Sequence, residues 1–206
     1  MRAGDYSGTM PPTDVLSTAM DDTGDPSLEP LPAHVAELLG RVAAPPRLVA
    51  HLRAVHDVAV RLVGWVQAEC PALEFDRDAV LFGAATHDIG KTLYPAELSG
   101  PGARHEAAGR ELLLAHGVDA ELARFAGTHA SWAEPGVRVE DLLVSLADKV
   151  WKNKRVTELE DLVVARLAEA GGRPPWEAFL RLDSFLTDVG EDADRRLAYQ
   201  ASHPVR

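Results

Sequence analysis

Residues 47–69 read RLVAHLRAVHDVAVRLVGWVQAE, and their periodicity decides the fold class. At about 100° per residue, Leu48, Val55, Ala59, Leu62 and Val66 gather on one side of a helix, while Arg47, Arg53, Asp57 and Arg61 gather opposite. The stretch is a long amphipathic helix. The same period recurs in AHVAELLGRVA (33–43), DRDAVLFGAATHD (76–88), HEAAGRELLLAHG (105–117) and DAELARFAGTHASW (119–132). It continues in VEDLLVSLADKVWKNKRV (139–156), LEDLVVARLAEAG (159–171) and PWEAFLRLDSFLTDVGEDADRRLAYQ (175–200). Pro45 and Pro46 separate the first two helices, Asp76 is placed to cap the third and Gly90 to stop it, and residues 93–104, with Pro95, Gly100, Pro101 and Gly102, read as a loop. No alternating stretch is long enough for a sheet, so the expectation is an all-α bundle without internal repeats.

Length and composition narrow the classes further. A chain of 206 residues suits one domain with a substantial core, here expected over 31–206 as a single all-helical unit with a C-terminal helical extension. Residues 1–30, rich in Pro, Gly, Ser, Thr and Asp, are expected to form a flexible tail, with Met10 and Met20 as alternative starts. No apolar run approaches the roughly 18 to 20 residues of a membrane span, and no secretory signal precedes the helices, so a cytoplasmic location is expected. A net charge of −11 argues against an extended nucleic-acid-binding face, because phosphate backbones are held by excess Lys and Arg. Small anionic ligands remain compatible, since bound divalent ions would invert the local field. The single cysteine, Cys70, cannot form an internal disulfide and has no CxxC partner, so it reads as a core or loop residue.

Chemistry concentrates in His87-Asp88-Ile89-Gly90-Lys91. An imidazole and a carboxylate side by side at a helix end offer two metal ligands of different hardness, with a cation close by. His51 lies on the apolar side of its helix, four residues before Val55, and must point inward; His56, about 140° around the same helix, is its competitor. His105 opens a helix after the Gly/Pro loop, with Gly109 one turn later allowing close approach. His129 ends an apolar helical stretch, and Asp148 interrupts the apolar run LLVSLA, where an unpaired buried carboxylate would be costly. Each of these has a plain structural reading as a hydrogen-bonded core residue. Together, His51, His87, Asp88, His105, His129 and Asp148 make four imidazoles and two carboxylates, an inventory that suits two ions with a bridging aspartate. Mixed N/O ligation without thiolate favours Fe, Mn, Co, Ni or Zn. His116 at a helix end reads as structural, and His34 and His203 near the chain ends as serving nothing specific.

The pattern resembles the HD-domain superfamily of metal-dependent phosphohydrolases, an all-helical fold with the signature H…HD…D. Its first helix commonly reads H-x-x-x-V-x-x-x-A, matched by His51, Val55 and Ala59. HDIGK stands verbatim at 87–91, and the H-x-x-x-G of two-metal members is matched by His105 and Gly109. His129 and the Leu-Ala-Asp-Lys around Asp148 complete the set, so the resemblance covers residues 45–155. The Gly-Tyr-Pro signature of the cyclic dinucleotide phosphodiesterases in this superfamily is absent after His129, where the chain reads ASWAEPGVRVED. Ligand order and spacing look closer to small stand-alone bacterial members, including symmetrical dinucleoside tetraphosphate hydrolases.

What the resemblance implies is hydrolysis of a phosphate ester or anhydride in a nucleotide-like metabolite, through water activated by two divalent transition-metal ions. Asp88 is the candidate bridge. Lys91 is expected to neutralise developing charge or protonate the leaving oxygen, though it reads equally as a solvated helix-terminal lysine. Lys152 and Arg155, at i+4 and i+7 from Asp148 on one helical face, are placed to reach a substrate phosphate, unless Lys152 only pairs with a nearby acid. Trp132 or Trp151 could stack a base, or serve as core. Two rivals stand beside this reading: a mixed-valence di-iron oxygenase of the myo-inositol oxygenase type, built on the same six ligands, and a regulatory HD module whose metal site has decayed.

Overall fold

The structure, a computed structural model, describes residues 19, 20 and 25–205. Among the described residues there are nine α-helices and no strand, as the periodicity predicts: α1 (Ala33–Arg41), α2 (Pro46–Glu69), α3 (Arg77–Thr86), α4 (Arg104–Ala115), α5 (Ala120–Thr128), α6 (Val139–Val150), α7 (Thr157–Gly171), α8 (Pro175–Gly190) and α9 (Ala193–Ser202). The loop expected over 93–104 contains one tight helical turn, Pro95–Leu98, and another turn, Ile89–Thr92, follows the HD pair. No helix among the described residues is long and apolar enough to cross a membrane.

Helix α2 is the axis of the bundle. Pro46 occupies its first position, where the missing N–H is no loss, and α2 then packs against α3, α6 and α9. One apolar cluster joins Ala54, Val55, Val58 and Leu62 of α2 to Leu142, Leu143 and Leu146 of α6 and to Leu159, Leu182 and Leu186 beyond. A second joins Leu48, Val49 and Leu52 to Leu38 and Leu39 of α1, Phe82 and Ile89, and Leu113 and Ala126. Each buried Leu or Val of this kind stabilises the fold by about 1.5–3 kcal/mol. His51 lies in the sequence between residues of the two clusters, Ala50 of the first and Leu52 of the second.

The charged side of the amphipathic α2 is not wholly at the surface, since Arg53 and Asp57 are both buried, covered by Leu28, Glu29 and α9. Two expectations are corrected. The helix expected over 139–156 stops at Val150, because Asn153 takes a left-handed φ of 54° and its N–H turns back to Val150 O at 2.9 Å. The C-terminal helix expected over 175–200 breaks at Gly190, whose missing side chain makes room for Asn153: a Cβ there would lie 2.6 Å from Asn153 Oδ1. The acidic stretch 190–194 is therefore a helix junction, with Glu191 and Asp194 exposed and Asp192 paired to Arg195 at 2.9 Å.

Of the expected tail, residues 1–18 and 21–24 lie outside the described residues, and so does the alternative start Met10; within it Ala19 and Leu28 are buried. His203 is buried as well, its Nδ1 2.8 Å from Tyr199 O, and its carbonyl accepts from Arg47 Nε at 2.9 Å. The C-terminus is thereby tied to the start of α2, a specific role the sequence did not suggest.

Candidate metal centre

Five elements deliver six side chains to one place. His51 comes from the first half of α2, His87 and Asp88 from the turn that ends α3, His105 from the first turn of α4, His129 from the residue after α5, and Asp148 from the last turn of α6. All six are buried. The HD pair is aimed by the abrupt end of α3: the last helical residue is Thr86, and Asp88 already departs from helical geometry at φ −102°, ψ 10°.

Two glycines permit the approach. A Cβ on Gly90 would lie 2.0 Å from His105 O and 2.6 Å from Gly109 N, so no side chain fits there. A Cβ on Gly109 would lie 3.0 Å from Gly90 N and 3.2 Å from the Ala126 side chain. The turn after Asp88 thus lies flush against the backbone of α4, which carries His105 to Asp88. The spacing in H-x-x-x-G and in HDIGK has a common cause, close contact of two backbones.

The six side chains form two triplets, His51 with His87 and Asp148, and Asp88 with His105 and His129, each with its ligand atoms within 4.8 Å of one another. Asp88 faces both. Its Oδ2 is 3.0 Å from His51 Nε2 and 3.5 Å from His87 Nε2, while its Oδ1 is 3.0 Å from His105 Nε2 and 3.7 Å from His129 Nε2. One oxygen toward each triplet is the arrangement a bridging carboxylate needs. His87 Nε2 lies 3.4 Å from Asp148 Oδ1 on the far side.

Close as they are, several of these atoms are not hydrogen-bonded. Among the described residues, His51 Nε2, His87 Nε2 and Asp88 Oδ1 are buried and have no hydrogen-bond partner. Lone pairs converging on common points, rather than on one another's hydrogens, would be expensive in a closed core and are what an ion satisfies. The donor set therefore fits divalent metal ions.

The electrostatics agree at four of the six side chains, while at His105 burial is outweighed by Asp88 and Glu97, which raise it. Burial alone would raise the Asp88 carboxyl, but the surrounding imidazoles of His87, His105 and His51 outweigh it and hold that carboxyl well below the ordinary carboxylate range. For Asp148 burial is likewise outweighed, here by His87 and Lys149. Burial lowers His51 and takes His129 down to about 4. Near neutrality the two aspartates are ionised and these two imidazoles uncharged, the protonation states that ligation requires. Lysines close the carboxylate edges: Lys91 Nζ is 2.5 Å from Asp88 Oδ2, and Lys149 pairs with Asp148.

His56, the competitor of His51, is buried elsewhere on α2 and belongs to neither triplet. Because α6 ends at Val150, the face expected to align Lys152 and Arg155 with Asp148 does not exist. Lys152 is exposed beyond the helix end, and Arg155 is held by Glu160 and Asp183, each at 2.7 Å. Trp151 is core, packed edge-on against His51 at 4.9 Å between centroids. Trp132 is half-buried, with the Lys149 ammonium 5.4 Å from its ring centroid.

Sequence reasoning missed two residues at the site. Lys149 could have been found by its place next to Asp148. Glu97, whose Oε2 is 2.6 Å from His105 Nδ1, sits inside the Pro/Gly loop and carried no periodic signal.

No curated protein and no solved structure matches the chain. Residues 48–153, which span all six side chains, match the family model described as the HD domain, the domain of a superfamily of metal-dependent phosphohydrolases, and the chain belongs to that family.

Proposed function

We propose that the protein is a metal-dependent phosphohydrolase that cleaves a phosphate ester or anhydride of a nucleotide-like metabolite. His51, His87 and Asp148 would hold one divalent transition ion and Asp88, His105 and His129 the other, with Asp88 facing both triplets. The ions, when bound, supply a water of lowered pKa and polarise the phosphoryl oxygens. The protein supplies the rest. Its buried cage excludes bulk water, and Lys91, with a side chain 18% exposed, lies at the edge where a leaving oxygen can take a proton or its charge be neutralised. Lys149 and Lys152 provide further positive charge for an anionic substrate in a chain that is otherwise acidic. Arg155 would have to leave Glu160 and Asp183 to take part, so the substrate contact proposed on this side is Lys152.

The observation that carries this reading is the pair of neighbouring triplets with Asp88 facing both, in which His51 Nε2, His87 Nε2 and Asp88 Oδ1 are left without hydrogen bonds. The same six residues suit a mixed-valence di-iron oxygenase, so the test must separate the two. Metal-stripped protein is reloaded with Mn²⁺, Co²⁺, Ni²⁺, Zn²⁺ or, without air, Fe²⁺, and offered a panel of nucleotides and phosphate esters while phosphate and oxygen are followed. Phosphate release that requires metal and ignores oxygen is the expected result. Oxygen uptake without phosphate release would support the oxygenase, and failure of both, with no metal retained, the regulatory module.

A further inference from the structure

The two triplets are braced by different kinds of structure. His87 Nδ1 lies 2.9 Å from Ala84 O, an acceptor fixed by α3 itself. His105 Nδ1 instead lies 2.6 Å from Glu97 Oε2, in the turn Pro95–Leu98. The same carboxylate accepts the backbone N–H of His105 at 3.1 Å and of Arg104 at 3.3 Å. The Glu97 side chain is only 8% exposed, and the loop is shaped around it: a Cβ on Gly102 would lie 2.4 Å from Glu97 Oε1. A carboxylate only accepts, so Nδ1 of His105 carries the hydrogen, which leaves Nε2, 3.0 Å from Asp88 Oδ1, as the nitrogen that would ligate an ion. The Glu97 carboxylate thereby fixes both the tautomer and the ring orientation of His105 toward any ion its Nε2 would ligate.

We propose that Glu97 is a positioning residue for His105, and that it makes the ion held by Asp88, His105 and His129 depend on the loop 93–103, while the ion held by His51, His87 and Asp148 does not. The proposal rests on the two-ion reading above. It also explains why an acidic side chain is buried in a loop of Pro, Gly and Ser, where capping the first turn of α4 alone could be served by Ser or Asn.

The experiment is calorimetric titration of the metal-stripped full chain with Mn²⁺, repeated with Co²⁺ and its visible absorption, on the parent, Glu97→Ala and Glu97→Gln. The parent binds two ions. In Glu97→Ala one ion binds as in the parent and the other about 10- to 100-fold more weakly, with loss of its part of the Co²⁺ spectrum. Glu97→Gln, which keeps an oxygen for the α4 N–H groups but loses the charge, falls between. Equal weakening of both ions, or an unchanged pair of affinities in Glu97→Ala with only a lower Tm, would overturn the positioning role and leave a capping one. A parent that binds no ion at all would instead remove the two-ion reading, and this proposal with it.

Discussion

Helix α2 buries polar side chains on two faces, and it treats them in opposite ways. On one face Arg53 donates to Leu28 O at 2.9 Å, Glu29 O at 3.3 Å and Tyr199 Oη at 3.3 Å, and Asp57 accepts the Glu29 N–H at 3.0 Å. Every one of those contacts ties a distant segment down. On the other face His51 points its Nε2 at the triplets without a hydrogen bond among the described residues. Satisfied polar groups hold the scaffold together. Unsatisfied ones that converge are where the proposed ions would bind.

The comparison is open to attack by mutation, and the largest effect is expected on the unsatisfied side. His87→Ala should remove metal and cut turnover by about 10³-fold or more, while the melting temperature of the metal-free protein changes little. Metal analysis and thermal melts check both halves. Retained metal with retained turnover would mean that the cage is only core.

On the satisfied side the prediction reverses. Arg53→Ala leaves several buried acceptors without a donor and should destabilise the fold by about 3 kcal/mol in urea unfolding, while the folded variant still binds two ions. If Arg53→Ala lost its metal as readily as His87→Ala, the two faces would not be separable.

His56 sharpens the contrast with a smaller effect. It is buried on α2 with both ring nitrogens unpartnered among the described residues, and burial, helped by Arg77 and Arg53, lowers its pKa to about 4. The folded state therefore resists a proton that the unfolded chain accepts near its ordinary 6.5. Stability from this residue is present above that value and lost as pH falls through it toward 4, by at most about 1.4 kcal/mol per pH unit. Urea midpoints of the parent and His56→Leu between these limits should show a shallower pH dependence in the variant. Equal slopes would mean that His56 finds a proton acceptor in solution.

Much of this was legible in the sequence, and the reasons are local. Asp148 stands out because it breaks an apolar helical run, His51 because its helical phase is apolar, and Gly109 because its place one turn after His105 allows close approach, whereas Gly90 reads only as a helix stop. The burial of Arg53 and Asp57 was not legible for a tertiary reason: what covers them, Glu29 and Tyr199, lies 24 and 146 residues away from Arg53. The end of α6 was hidden because the residues after Val150 include good helix formers, and only the left-handed turn at Asn153 stops them. Glu97 was invisible because a loop's path, not a period, brings it to His105.

The most direct test is a crystal structure of the protein grown with Mn²⁺, with anomalous differences measured near the manganese edge. Two peaks are predicted, one among His51, His87 and Asp148 and one among His105, His129 and the near oxygen of Asp88, each about 2.0–2.3 Å from its ligands. Peaks elsewhere, or six side chains turned apart with no ion between them, would contradict it.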